Sequence, residues 1–186
     1  MRALPLPYPP LADRLTGIVL RPWGDDGDAE ALAAAWADAE VAARTQVPAD
    51  TSVAAARTWI VGEPERRSRG LALDLVVSRG EDATAVLGEV GLAHLDRAGR
   101  AEVGFWLAPD ARGKGLATAA VRVVTVWALH AAGPDRSRGL ALRQLWARTA
   151  PGDHRAAGVL GRTGYRLRGQ AAGSAIWAIG AANLRA

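Results

Sequence analysis

The side chains with chemistry to offer concentrate between Glu102 and Thr118. The stretch opens Glu102-Val103-Gly104-Phe105-Trp106-Leu107, turns at Ala108-Pro109-Asp110-Ala111, and passes through Arg112-Gly113-Lys114-Gly115-Leu116-Ala117-Thr118. The first backbone N–H groups of a helix have no intrahelical partner. The helix dipole adds about half a positive charge at that end. Gly113 and Gly115 remove side chains that would hold an anion away, and Lys114 can add a mobile cation. A turn of this kind suits a pyrophosphate. It is not a Walker loop, because Gly115 rather than Ser or Thr follows Lys114. A Rossmann fingerprint needs another small residue at its own spacing, early in a βαβ unit.

These residues need a strand before them and a helix after them. Residues 102–107 alternate branched and aromatic side chains and suit a pleated strand. In such a strand Glu102, Gly104 and Trp106 share one face. Pro109 and Asp110 end it. From Leu116 the apolar positions 116, 120, 123, 124, 127 and 131 recur at helical spacing.

The rest of the chain reads as elements around this unit. Residues 1–15 carry Pro5, Pro7, Pro9 and Pro10 and favour an extended arm. Thr16–Trp23 reads as the first strand. Asp25–Asp28 start an alanine-rich helix running to about Ala43, with Leu32 and Trp36 inward. Thr45–Asp50 is a loop. A helix follows Thr51 or Ser52 and ends near Gly62, and Pro64–Gly70 reads as a polar turn. Leu71–Ser78 and Val86–Leu95 are strands joined by a turn at Arg79–Ala83, with Val86, Val90 and Leu92 on one face. Asp96–Arg100 is a hairpin connection into the strand at Glu102. Gly133–Gly139 is a loop and Leu142–Thr149 a strand. His154–Thr163 is a helix closed by Gly164, and Tyr165–Gln170 and Ala175–Ile179 are closing strands. The order is β-α-α-β-β-β-α-β-α-β-β, an α/β class with mixed α+β character.

Composition narrows the function classes. The 186 residues fit one domain with a proper core. Cysteine is absent, which excludes disulfides, thiolate zinc sites and a cysteine nucleophile. Three histidines without paired ligand spacing point to no metal site. With neither a secretory signal pattern nor an apolar run of spanning length, a soluble cytoplasmic protein is expected. The pI near 10.5 accompanies a net charge of only +4. Lys114 is the sole lysine, as expected of a GC-rich coding bias. Basic residues are locally dense only at Glu65–Arg69 and Arg136–Arg143. Scattered arginines predict a solvated surface rather than a nucleic-acid face.

Arg112, Gly115 and Ala117 supply the pattern Arg/Gln-x-x-Gly-x-Gly/Ala, which resembles the acetyl-CoA loop of the GNAT N-acetyltransferase superfamily. The element order resembles that fold from about Thr16 to Gly180. Gln46-Val47-Pro48 with Ala54–Ile60, the strand Glu102–Leu107, and Ala147–Tyr165 ending Arg162-Thr163-Gly164-Tyr165 resemble the RimJ/RimL-like branch. The resemblance implies a single GNAT domain over residues 16–186. It implies a mostly antiparallel twisted sheet of about seven strands, splayed into a V and flanked by about four helices.

It also implies an acetyl-CoA-dependent N-acetyltransferase in which a primary amine attacks the thioester directly. Glu102 is then the candidate base, with Glu89 the runner-up. Trp106, Leu107, Arg112, Gly113, Lys114, Gly115, Leu116, Ala117, Thr118 and Asp153 are the candidate cofactor contacts. Backbone N–H groups near Trp106–Leu107, at a bulge, would hold the oxyanion. Relatives often carry Asn at position 153, with Ser three residues on or Tyr seven on. This chain has Asp153, Ala156 and Leu160, so neither side chain can protonate the leaving thiolate. Tyr165 and His154 are the substitutes, and His94, Trp36 and Trp106 are candidates for the acceptor groove. Acceptor identity is expected in loops 45–52 and 171–174. An apolar C-terminal edge strand leaves monomer and homodimer both open. The alternatives are a non-catalytic acyl-CoA-binding protein on the same fold and a basic RNA-associated protein.

Overall fold

Among the described residues eight strands form one sheet in the order β1-β2-β3-β4-β5-β6-β8-β7. The structure is a computed structural model and describes residues 3–24, 26–80, 84–130 and 139–184. The strands are β1 (Leu11–Asp13), β2 (Ile18–Pro22), β3 (Ala72–Arg79), β4 (Gly88–Ala93), β5 (Arg100–Leu107), β6 (Gln144–Thr149), β7 (Arg166–Ala171) and β8 (Ser174–Gly180). Neighbours are antiparallel except β5 and β6. Those two are parallel because a helix carries the chain from one to the other.

The described helices are α1 (Asp26–Ala37), α2 (Ala39–Ala42), α3 (Val53–Val61), α4 (Glu63–Ser68), α5 (Leu116–Leu129) and α6 (His154–Arg162). Alternation along the strands sends side chains to two separate cores. Leu73, Leu75 and Val77 of β3, Val90 and Leu92 of β4, and Val103 of β5 pack with Leu116, Ala120, Val124 and Trp127 of α5. On the other face Trp23 and Val76 pack with Leu32 and Trp36 of α1 and Ile60 of α3. Val86 joins this second core, not the face shared by Val90 and Leu92.

The expected mixed α/β architecture is observed, with differences of detail. The proline-rich arm contributes an edge strand, β1, paired with β2. The sheet therefore begins before residue 16 and has eight described strands, close to the seven expected. Six described helices replace about four, for two reasons. The alanine-rich helix splits at Asp38, whose side chain accepts from Val41 N at 2.9 Å and caps α2. Pro64–Gly70 is mostly helix α4, since proline in a first turn gives up no helical hydrogen bond. The central helix ends at Leu129, and position 131 lies outside the described residues. So do the loop at 133–138, part of the turn at 79–83 and the helix-start residue Asp25.

Candidate active site

The β5–β6 ladder is short. Arg100, Ala101 and Glu102 pair with Gln144, Leu145 and Trp146, and there pairing stops. Both strands run on, to Leu107 and Thr149. Beyond Glu102 they part, leaving a V-shaped gap. The β5 ladder to β4 stays in register from Glu102 to Leu107, so the bulge expected in β5 is absent. The irregularity lies opposite, in the approach to β4. There Leu87 N donates to Val77 O, while Leu87 O accepts from Ala108 N.

The β5 amides facing the gap follow from this pattern. Gly99 O accepts from Arg143 N, on the β6 side, and Ala108 N donates to the β4 side. Alternation then directs the N–H groups of Phe105 and Leu107 into the gap. The carbonyl of Leu107 is already occupied by Arg112 Nε at 3.0 Å.

The start of α5 lies a few residues beyond the end of β5. Gly113 and Gly115 have φ of +75° and +78°, which a side chain resists. A Cβ at either would meet nothing within 4 Å. Gly115 is the N-cap and no side chain caps the helix, so the first α5 amides are uncapped. Lys114 is exposed and pairs with no carboxylate among the described residues. These features fit a pyrophosphate and leave room for one.

Other expected contacts are engaged elsewhere. Arg112 reaches Glu40 at 2.9 Å and Asp38 at 3.0 Å, so its guanidinium braces the loop against α2. Glu40 also takes Arg44 at 2.7 Å and Arg155 at 3.0 Å, and Arg44 reaches Asp153 at 2.8 Å. Asp153 in turn caps α6 through Ala156 N at 3.0 Å. Leu116 is buried in the first core, and its side chain serves packing. Leu107 packs against the same core and Trp106 against the second. Thr118 accepts from Arg162, and Ala117 is half-buried.

On the second-core side of the V stand three carboxylates, Asp74, Glu89 and Glu102, on β3, β4 and β5. Between them Gly91 pairs with Gly104. A Cβ at Gly104 would meet nothing within 4 Å. One at Gly91 would stand 2.8 Å from Leu73 O and 3.0 Å from Asp74 Oδ1. The pair therefore forms a bare notch overhung by Asp74.

Glu102, at the apex of the V, is spanned by Arg148 of β6 through bonds of 2.9 and 3.0 Å. His94 Nε2 lies 3.6 Å from the same carboxylate, and its ring stacks on Trp146. Burial pushes Glu89 well above the ordinary glutamate value. The Asp74 charge adds to this, while the Trp23 and Trp106 indoles and Arg66 act against it. Glu89 nonetheless keeps some accessible surface.

Asp74 is pushed up to about 6, by burial first and by Glu63; Arg66, at 3.5 Å, opposes the shift. A carboxyl with a raised value favours folding when protonated. That contribution is fully present below the unfolded value near 3.8 and is lost as pH rises through about 6. Asp74→Asn is therefore expected to raise stability by about 2–3 kcal/mol at pH 7.5 and by little at pH 4. Urea unfolding at the two pH values checks this; equal effects at both would contradict it.

The substitute proton donors resolve plainly. Tyr165 is 1% exposed, shares a 2.9 Å hydrogen bond with Thr125 and is pushed up by burial, so it is a core residue. His154 is exposed on α6. Loop 171–174 is a tight turn between β7 and β8, with Ala172 and Gly173 at φ +49° and +74°. Among the described residues no group of three His, Cys, Asp or Glu side chains is placed to hold a metal ion. No described helix is long and apolar enough to cross a membrane. Of the two basic stretches, Arg66, Arg67 and Arg69 pair with Asp74, Glu63 and Glu65, and residues 136–138 lie outside the described residues.

Sequence reading missed Asp74, Arg148 and the Asp38–Arg44 segment. Asp74 had a signal, being the one charge inside the apolar run Leu71–Val77. Glu102, the partner of Arg148, and Arg112 and Arg155, the distant partners of Glu40, lie 46 or more residues away in sequence, and no local pattern marks them.

Comparison with known proteins bears on this geometry. A family model described as an acetyltransferase (GNAT) domain matches residues 18–166. No curated protein matches the chain. Among solved structures, RimJ of Mycobacterium smegmatis in complex with CoA-disulfide aligns at TM-score 0.72 and 21% identity, over 94% of this chain and 87% of that one. The ribosomal-protein-S5-alanine acetyltransferase of Vibrio fischeri aligns at 0.73 and 18%, over 91% and 96%. The microcin C7 self-immunity acetyltransferase MccE, in complex with acetyl-CoA and AMP, aligns at 0.68 and 18%, over 88% and 92%.

Proposed function

Because the chain belongs to the GNAT acetyltransferase family, we propose that it transfers an acetyl group from acetyl-CoA to a primary amine. The amine belongs to a protein N-terminus or a small molecule and attacks the thioester directly. The observation that carries this reading is the V. Strands β5 and β6 separate after Glu102, and the uncapped start of α5 follows the open end. A thioester arm between the strands and a diphosphate on the helix start fit that arrangement together. The RimJ/RimL-like branch is supported by fold likeness to RimJ and to the S5-alanine enzyme.

The residues divide the work. Amides of Gly113 to Ala117, with Lys114, hold the diphosphate. Arg112 stiffens the loop through Asp38 and Glu40, and Asp153 orders the start of α6. The Leu107 N–H, free in the gap, donates to the oxygen that gains charge during attack. Such a preorganised donor is worth about 3–4 kcal/mol. Glu102 lies at the apex, where an ammonium would exchange for Arg148. The acetyl-CoA sulfur leaves as a thiolate of pKa about 8.5, a tolerable leaving group without a side-chain acid.

The test is CoA-induced thermal stabilisation together with thiol release from acetyl-CoA across a panel of primary amines. Glu102→Gln is expected to lower acceptor-dependent turnover about 10- to 100-fold while leaving CoA stabilisation intact. An unchanged rate would remove Glu102 from the reaction. A second reading, a non-catalytic acyl-CoA-binding protein, draws on Ala156 and Leu160, which cannot donate a proton. CoA stabilisation without turnover on any amine would favour it.

A further inference from the structure

We infer that Glu89, with Asp74 as its positioning partner, takes the proton from the acceptor amine at the two-glycine notch, while Glu102 serves as the exchangeable anchor of Arg148. This rests on the acetyl-transfer reading above and assigns the proton within the same site.

Three observations carry it. First, the carboxylate nearest the apex is occupied. Both Glu102 oxygens accept from Arg148, at 2.9 and 3.0 Å, so a bidentate guanidinium already occupies the face an incoming ammonium would need. Second, Glu89 is one strand from the gap, opposite Trp106, and the interstrand spacing is about 4.8 Å. A glutamate side chain spans that distance. Diagonally beside Glu89, opposite Gly91, the sheet face is bare, because Gly104 is exposed and a Cβ there would meet nothing within 4 Å. Third, Trp23 is 8% exposed, yet its buried Nε1 has no hydrogen-bond partner of regular geometry. That indole is directed at Glu89, whose charged form it favours. An indole N–H with no other acceptor is available to the Glu89 carboxylate.

The charged groups around Glu89 are few. Asp74 of β3 raises its basicity, and Arg66 of α4 tempers it. Glu63 of α4 acts on Asp74, and Glu102 lies on the same sheet face. Asp74 sits diagonally from Glu89 across the β3–β4 ladder, with Val76 opposite Glu89 and Gly91 opposite Asp74. Two neighbouring carboxyls in a poorly hydrated site hold a proton between them more readily than either alone.

The step balances. The ammonium passes one proton to the Glu89 carboxylate, and its freed lone pair attacks the thioester carbonyl. The C–N bond forms, and the C–S bond breaks with its electron pair going to sulfur. The proton shed by the new amide nitrogen neutralises the thiolate, and Glu89 returns its proton to solvent.

The test uses the full chain, acetyl-CoA and one turned-over primary amine, with kcat/KM read against pH. Glu89→Gln is expected to lower kcat/KM about 100-fold and to abolish the acidic limb of the profile. Asp74→Asn is expected to move that limb to lower pH, because removing a negative charge eases ionisation of Glu89. Gly104→Leu, which fills open space, is expected to raise the acceptor KM at least about 10-fold while CoA stabilisation stays at the wild-type value. Retention of CoA stabilisation shows that each variant is folded. A Glu89→Gln rate within about threefold of wild type with an unmoved limb would overturn the inference. An Asp74→Asn profile superimposable on wild type would remove Asp74 from it. If CoA stabilises not even the wild-type protein, the acetyl-transfer reading itself falls, a result distinct from these.

Discussion

Gly115→Asp is expected to remove most of the CoA stabilisation and to lower acetyl transfer about 30- to 1000-fold, with the protein still folded. Gly115 is the N-cap of α5 and sits at φ +78° in open space. Aspartate tolerates that backbone region better than most residues, and a negative side chain at a helix start is favourable. The fold therefore loses little. The anion site loses its character, because a fixed carboxylate now stands where the diphosphate should rest. Two unit charges about 4 Å apart repel by about 4 kcal/mol at an effective dielectric of 20. Solvent at this exposed turn reduces that to about 2–4 kcal/mol, a factor of about 30 to 1000 in affinity. Gly115→Ala adds a Cβ without charge and should weaken binding far less. Thermal-shift titration with CoA separates the two. Equal losses for Ala and Asp would mean that backbone conformation, not charge, governs the site.

The second large effect is structural. Gly88→Ala is expected to destabilise the protein by about 3 kcal/mol or more, lowering Tm by about 6–12 °C. A Cβ at Gly88 would stand 2.2 Å from Trp106 O, 2.6 Å from Leu107 Cδ2 and 2.9 Å from Leu107 Cα. Two of these atoms are backbone and cannot turn aside. Relief requires β4 and β5 to part where β5 presents the Leu107 amide to the gap. Activity should fall by more than stability explains, even at temperatures where the variant is fully folded. Gly161→Ala, in α6 and with nothing within 4 Å of its Cβ, is the matched control and should be neutral or mildly stabilising. A Gly88→Ala melting curve that overlays wild type would show that the two strands accommodate the methyl group.

The parts of this protein legible from its residues are those with local causes. Period-two alternation over 102–107 and the 3.6-residue period from Leu116 mark β5 and α5 without reference to the rest of the chain. Gly113 and Gly115 announce their positive φ values by type, and Gly164 ends α6 as its position requires. Helix α4 was obscured by Pro64, which reads as a breaker unless the first turn is located. The break before α2 was obscured by alanines whose propensity runs straight through Asp38.

Side-chain commitments were not legible, because they are made across the sheet. Arg112 belongs to the phosphate-loop motif by sequence, yet its guanidinium is claimed by Asp38 and Glu40, 74 and 72 residues away. Glu102 reads as a free carboxylate at a strand start, and only the arrival of β6 brings Arg148 onto it. Glu89 and Asp74 are ordinary acids by type; their shared low-dielectric notch exists only once β3 and β4 pair and Trp23 comes to lie against Glu89. Sequence by itself determined where the chain turns and which backbone amides are left bare, since steric and periodic preferences act within a few residues. Tertiary structure decided which charges are occupied and which are poised, since Coulombic and desolvation energies depend on neighbours that the chain order does not name.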